Sequence, residues 1–182
     1  MDTAIQNNSE EAVNSTFTFD EKSLRQSMKH MQRPWLFRLA MFKILPLGAF
    51  AGLRVKLINE DSCVISLPGS WMTKNPFGST YWAAQGMAAE AASGLLPFMY
   101  CRAAPKRVNM ILASCQASFT RQCKGRSNFK CEGGEVTRQA ILATLKTGER
   151  QVCKHKVFGY DLNGELVSEW TFEWSLKRSS KD

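Results

Sequence analysis

The chain has 182 residues, of which 44% are hydrophobic and 22% charged, and a formal net charge of +8. This size and balance are typical of one globular domain that buries a core without disulfides or metals. Six cysteines without a Cys-x-x-Cys pair, and histidines as far apart as His30 and His155, argue against a zinc site or a redox dithiol. We therefore predict no metal and no cofactor, and reduced thiols in a cytoplasmic protein without a signal peptide.

The N-terminal part is predicted to be helical after a polar lead. Residues 1–20 are expected to be disordered or loosely packed, residues 21–176 to form a single domain, and residues 177–182 to be a tail. Helices should occupy about 21–48. The first is expected over 21–32, and the second begins at Pro34 and ends near Leu45, before a proline and a glycine.

A β-hairpin is predicted next. Leu53, Val55 and Leu57 alternate with Arg54 and Lys56, which indicates a strand with one buried face. A polar turn at 59–62 separates this strand from a second short run at 63–67.

A long helix should follow the loop at 68–78. Ser79 or Thr80 is a plausible N-cap, and Pro97 is expected near the end of the helix. Eight of the residues at 82–97 are alanine or glycine, so a sheet wrapped around the helix could approach it closely.

The remainder of the chain is predicted to be mainly strand. Extended segments are expected at 108–121, 127–131, 152–160 and 166–176, and a short helix at 135–146. Together with the hairpin, this predicts an α+β fold with an antiparallel sheet of about six strands curled around the long helix.

Glu90 is the only charged residue between Lys74 and Arg102. Burying an unpaired carboxylate is costly, and it usually raises the pKa of the group, which is how a general base is made. Gln85 projects on the opposite side of the helix and is not expected to contact Glu90. The alternative is an ion pair between Glu90 and a basic residue of the sheet.

A basic segment follows Glu90. No acidic residue occurs between Glu90 and Glu132, and the segment carries seven cations, namely Arg102, Lys106, Arg107, Arg121, Lys124, Arg126 and Lys130. This charge favours a phosphate-bearing small molecule, with a solvated basic face as the alternative. Nucleic acid is not predicted, because the segment has no run of basic residues and no recognisable binding motif.

The segment N-P-F-G-S-T-Y-W-A-A-Q-G-M-A-A-E resembles the catalytic segment of hot-dog-fold acyl-CoA thioesterases of the phenylacetate-degradation type. Asn75, Gly78 and Glu90 fall on that family's Asn, Gly and acidic positions. Tyr81 stands at its His position, and Trp82 and Ala83 stand where it has two glycines. The chain looks closest to an uncharacterised hot-dog branch catalogued as a domain of unknown function, over about residues 35–176.

The resemblance implies a role for each of these positions. Glu90 would be the base or the nucleophile, the N–H of Trp82 or Ala83 would hold the oxyanion, and Asn75 would orient the water or the thioester carbonyl. Gly78 and Tyr81 would lie beside the substrate. Packing at the start of the helix is the alternative for Tyr81 and Trp82, and a turn before Pro76 is the alternative for Asn75.

The substrate would then be a thioester of an acyl group with CoA or an acyl carrier protein. Phe77, Trp82 and Met87 would line the acyl pocket, and Arg121, Lys124 and Arg126 would hold the CoA phosphates. The protein is expected to be a homo-oligomer, a dimer or a tetramer, with active sites shared between subunits.

A second hypothesis is a non-catalytic protein of the same fold that binds acyl-CoA or acyl lipid. It could contact a membrane peripherally through residues 35–47, although packing of that segment on the sheet is the simpler interpretation. A hydratase is disfavoured, because neither histidine is near Glu90 in the sequence.

Overall fold

Three helices precede the sheet in the computed structural model, which describes residues 17–180. They are α1 (Glu21–Gln32), α2 (Pro34–Ile44) and α3 (Pro46–Ala51). The predicted end of the second helix near Leu45 is confirmed, because α2 ends at Ile44 with Leu45 as its C-cap. Pro46 then stands in the first turn of α3, where its missing N–H costs nothing. Gly52 ends α3 with a φ of 78°, a left-handed conformation that suits glycine.

The ends of the described chain are held against the fold. Residues 1–16 of the predicted loose lead lie outside the described residues. Residues 17–20 are packed, since the rings of Phe19 and Tyr100 are 5.2 Å apart and the N–H of Asp20 donates to the carbonyl of Ala103 at 2.8 Å. At the other end the last strand continues through Arg178, two residues beyond the predicted limit of the strand.

The rest of the chain forms six strands and two further helices. In chain order they are β1 (Arg54–Ile58), β2 (Cys63–Leu67), α4 (Trp82–Ala103), β3 (Val108–Phe119), β4 (Ser127–Cys131), α5 (Gly134–Thr147), β5 (Gln151–Tyr160) and β6 (Leu166–Arg178). The strands form one antiparallel sheet in the order β1-β2-β4-β5-β6-β3. The sheet packs on α4, as the sequence predicted, and β1 and β3 are its edges.

The predicted burial of β1 needs a correction. The pairing with β2 shifts register between Val55 and Leu57. Leu57 is therefore 42% exposed, while the next residue, Ile58, is buried. A bulge of this kind moves every later side chain to the opposite face, which strict alternation cannot predict.

Both predicted ends of the long helix also differ. α4 begins at Trp82 with Tyr81 as its N-cap and without a side-chain cap, so neither Ser79 nor Thr80 caps it. Pro97 lies inside α4, which continues to Ala103. A proline leaves the carbonyl four residues earlier without its helical donor, and here the imidazole of His155 approaches that carbonyl, at Ser93, to 3.1 Å.

Small residues on α4 allow the close approach of the sheet. A Cβ at Gly86 would lie 3.3 Å from the Trp170 ring, and a Cβ at Gly94 would lie 2.9 Å from the Trp174 ring. The two tryptophans of β6 therefore lie directly over the two glycines of α4.

Candidate active site

Glu90 lies on α4 midway between the two glycines that these tryptophans cover. It is one helical turn from Gly86 and one from Gly94, so all three share a face of α4. Phe172, midway between the two tryptophans on β6, pairs with Cys115 on β3. Burial raises the pKa of the Cys115 thiol, and the charge of Glu90 raises it further, which places the carboxylate near this edge strand.

The carboxylate of Glu90 is half-buried and unpaired. Desolvation raises its pKa above the ordinary value. Within residues 17–180 it takes part in no ion pair and no side-chain hydrogen bond, so the alternative of an ion pair with the sheet is not found. Gln85 is engaged elsewhere, because its amide contacts the Thr80 carbonyl and the Ser168 hydroxyl.

The start of α4 presents free backbone donors. The first helical hydrogen bond runs from the N–H of Gln85 to the carbonyl of Tyr81 at 3.1 Å. The N–H groups of Trp82, Ala83 and Ala84 have no acceptor among the described residues. Such donors, together with the helix dipole, attract negative charge.

The loop before α4 is held by Asn75. Its side-chain oxygen accepts the N–H of Phe77 at 3.0 Å and the N–H of Ser79 at 3.1 Å. These bonds are those of a turn residue, the alternative interpretation of Asn75. Gly78 has a φ of 75°, and a Cβ there would meet no atom within 4 Å, so the turn requires glycine for its backbone conformation.

An exposed apolar surface surrounds the first turn of α4. Phe77 is 81% exposed and Trp82 is 58% exposed, and the rings of Tyr81 and Trp82 are in edge contact. These side chains are not packed beneath the sheet. Met87, by contrast, packs against the core.

The basic residues that follow β3 lie beside the same helix start. The N–H of Thr80 donates to the carbonyl of Cys123 at 2.8 Å, which joins the loop before α4 to the loop at 120–126. Arg121 forms ion pairs with Glu165 at 2.9 Å and Asp161 at 3.9 Å. Lys124 and Arg126 are exposed and form no ion pair within the described part of the chain.

Some features of the site were not predicted. The sequence did not reveal that Trp170 and Trp174 lie over Gly86 and Gly94, one helical turn to either side of Glu90, nor that the N–H of Ala84 is a third donor. One signal was available: Gly86 and Gly94 lie four residues before and four residues after Glu90, and such glycines indicate that large side chains pack closely on the helix.

The strand order and the enclosed helix define the class: this is a hot-dog fold. Residues 33–176 match the family described as Domain of unknown function (DUF4442), and the chain belongs to that family. A comparison with curated proteins gives no match.

Solved structures share the architecture. One is a protein of unknown function from Pseudomonas aeruginosa described as a probable thioesterase, with 22% identity and a TM-score of 0.69 over 82% of this chain and 99% of that one. A thioesterase from Haemophilus influenzae has 12% identity and a TM-score of 0.59, over 79% of this chain and 92% of the other. A protein of unknown function from Chlorobaculum tepidum has 13% identity and a TM-score of 0.72, over 87% and 100%. At these identities the likeness shows the fold.

Proposed function

We propose that this protein hydrolyses thioesters of acyl groups with CoA or an acyl carrier protein, with Glu90 as the general base. The observation that carries the proposal is the half-buried carboxylate of Glu90, which has no partner among residues 17–180 and whose pKa is raised by desolvation. Structures of the same fold described as thioesterases support it.

The reaction needs few groups. Glu90 removes a proton from water, and the oxygen of that water adds to the thioester carbonyl carbon. The resulting oxyanion is held by N–H groups in the first turn of α4. Collapse of the tetrahedral intermediate breaks the C–S bond, and the thiolate takes the proton from Glu90. A direct attack by Glu90 would instead give a mixed anhydride, which water then hydrolyses.

The oxyanion donors and Glu90 are too far apart along one copy of α4 to act on the same substrate molecule. Ala83 and Glu90 are seven residues apart, which is about 10 Å along a helix axis. A carbonyl held about 3 Å from the N–H of Ala83 lies beyond the reach of a water bound to Glu90 of the same helix. We therefore propose a homodimer in which one subunit supplies Glu90 and its partner supplies the N–H groups.

The open edge of the sheet is suited to that arrangement. β3 is twelve residues long and pairs only with β6, and its apolar side chains include Ile111 at 64% exposure and Phe119 at 49%. A long, exposed, apolar edge strand is a template for pairing. Antiparallel pairing of two β3 strands would place Glu90 near the dimer axis and lay the two α4 helices antiparallel.

The two ends of the substrate would contact different surfaces. An acyl group would lie against Phe77 and Trp82 near the start of α4. The phosphates of CoA would lie on the loop at 120–126. There Lys124 and Arg126 form no ion pair with any residue of 17–180, and Arg121 is held by two carboxylates.

A non-catalytic protein that binds acyl-CoA or acyl lipid is the second candidate. It is favoured by the side chains of Trp82 and Ala83 at the oxyanion donors, because they crowd the approach of a carbonyl to the backbone.

Steady-state hydrolysis of acyl-CoA thioesters of graded chain length, followed by thiol release, tests the proposal. The Glu90→Gln variant should lose about a hundred- to ten-thousand-fold in kcat. Glu169→Gln is the matched control, because Glu169 is exposed on β6 and pairs with no cation in the described residues. Tight binding of acyl-CoA without turnover by the wild type would favour the second candidate, and full activity of Glu90→Gln would refute the role of Glu90.

A further inference from the structure

The two short N-terminal helices carry an apolar surface that nothing within residues 17–180 covers. α2 buries Phe37 and Met41 against the rest of the fold. Seven other large apolar side chains of α2, α3 and the link between them remain 40 to 69% exposed. They are Trp35, Leu39, Phe42, Ile44, Leu45, Leu47 and Phe50. A contiguous surface of this kind marks a binding site for another apolar phase or protein.

The exposed residues of α2 follow helical geometry. At about 100° per residue, Trp35, Leu39 and Phe42 fall within about 60° of one another, on the side away from the buried stripe. Phe42 and Phe50 are in edge contact at 5.6 Å, so the aromatic surface continues from α2 onto α3. The two helices thus present one outward apolar face, whereas a surface helix ordinarily presents a polar one.

Basic residues border this apolar face, and acidic residues are absent from the surrounding part of the sequence. Arg38 and Lys43 lie to either side of the outward stripe, about 60° and 80° from Trp35. The guanidinium of Arg38 lies over the Phe42 ring at 5.9 Å. Residues 22–59 contain no Asp or Glu. Long basic side chains beside an apolar stripe can keep their charge in water while their stems contact lipid.

Two adjoining grooves extend the basic border onto the sheet. One, of about 390 Å³, is lined by Trp35, Arg38, Phe50 and Arg54 among others. The second, of about 310 Å³, includes Arg54, Lys56, Ser66, Arg126 and Asn128. Because Arg54 lines both, the apolar groove adjoins a groove with three cations. None of these three cations forms an ion pair within the described residues.

We propose that the α2–α3 face docks on the surface of a bilayer that contains anionic phospholipids. The apolar side chains would enter the boundary between headgroups and acyl chains, and Arg54, Lys56 and Arg126 would contact lipid phosphates. None of the helices described is long and apolar enough to cross a bilayer, so the contact is an interfacial one. Charge complementarity favours this occupant over a second copy of the chain, whose matching face would bring like charges together.

The test is co-sedimentation of the full chain with vesicles of phosphatidylcholine alone and of phosphatidylcholine mixed with phosphatidylserine. The wild type should bind the mixed vesicles more tightly. Trp35→Ser/Leu39→Ser should weaken binding to both kinds of vesicle at least tenfold. Arg54→Gln/Lys56→Gln/Arg126→Gln should weaken binding to the mixed vesicles alone, by about fivefold for each cation removed. The matched control is Val136→Ser/Lys146→Gln, which exchanges an exposed apolar and an exposed basic residue on α5 and should bind like the wild type.

Three results would overturn the proposal. The first is the absence of wild-type binding to mixed vesicles, or unchanged binding by the Trp35/Leu39 variant. The second is dissociation of a wild-type oligomer by that variant without any vesicle binding, which would make the face an interface between copies. The third is a protein that does not bind vesicles but is thermally stabilised by inorganic phosphate, with a stabilisation that depends on Arg54 and Arg126. No thioester is present in these measurements, so their outcome is independent of the proposed hydrolysis.

Discussion

The Nδ1 atom of His155 lies 3.1 Å from the carbonyl oxygen of Ser93, the carbonyl that Pro97 leaves without a helical donor. The Nε2 atom of the same ring lies 2.9 Å from the hydroxyl of Thr137 on α5. His155 is 1% exposed, and burial lowers its pKa, which favours the neutral ring. The imidazole on β5 therefore joins the middle of α4 to α5, and it permits a proline inside the central helix.

His155→Leu should destabilise the fold by about 1–3 kcal/mol, since it leaves the buried carbonyl of Ser93 without a donor. Pro97→Ala in the same chain would return a backbone N–H to that carbonyl. The double variant should therefore regain part of the free energy of unfolding, as measured by urea denaturation. If Pro97→Ala has the same effect with and without His155, the two residues are not coupled in this way.

Glu90→Gln should stabilise the protein at neutral pH while it removes activity. Because the pKa of Glu90 is raised in the folded state, the carboxyl favours folding fully only below its unfolded pKa. This contribution to the free energy of unfolding is lost as the pH rises through the folded pKa. The amide of Glu90→Gln stays neutral, so the variant does not lose stability in this way. The gain in melting temperature should shrink as the pH falls towards 4.5, the ordinary value for this group.

In the wild type, kcat/KM should fall as the pH decreases, because the base must be ionised. The apparent pKa of this fall should lie above the ordinary pKa of a glutamate side chain. A melting temperature lowered by Glu90→Gln at neutral pH would show that the charged carboxylate has a stabilising partner in the assembled protein.

Two inactive variants should complement each other in a mixed dimer. Trp82→Pro removes one first-turn N–H at a helix position where proline is favoured, after a Tyr81 backbone that is already extended with a ψ of 136°. Loss of one oxyanion donor typically costs about a hundred- to a thousand-fold in kcat. Trp82→Ala keeps the N–H and is the control for the lost indole.

Heterodimers of Trp82→Pro and Glu90→Gln, purified through two different tags, contain one intact site and one with both defects. They should have about half the wild-type activity. Activity no higher than that of the parent variants would mean that each site is built from a single copy.

Alanine at the two glycines of α4 should have opposite consequences. A Cβ at Gly94 would lie 2.9 Å from a Trp174 ring whose indole N–H donates to the Ser93 hydroxyl at 3.2 Å. Because this hydrogen bond holds the ring, Gly94→Ala should cost about 1–3 kcal/mol. Gly86→Ala, with its nearest atom at 3.3 Å, should be neutral or gain up to about 1 kcal/mol of helix propensity. Equal changes in the urea midpoint would contradict this difference.

The architecture could be predicted from local patterns in the sequence. Strand alternation and an alanine-rich helix can be recognised without knowing which distant residues are in contact. The predictions failed where a neighbour from another element decides the outcome. Pro97 ends a helix by local rules, yet His155, 58 residues further along, supplies the missing hydrogen bond. The bulge in β1 likewise depends on its pairing with β2.

The candidate site was predicted in part. Isolation in the sequence singled out Glu90, and the structure places it near the edge strand without a partner in the described part of the chain. The surroundings of Glu90 could not be predicted, because they depend on sheet pairing, which sets Cys115 of β3 beside Phe172 of β6. Asn75 was given a substrate-facing role, whereas its hydrogen bonds are those of a turn.

The hydrogen bond from Thr80 to Cys123 makes the start of the central helix and the basic loop one mechanical unit. In the proposed complex, a ligand held by Lys124 would also act on the backbone that leads into Trp82. In the proposed reaction, recognition of the carrier end of the thioester and alignment of its carbonyl would therefore be adjustments of a single segment.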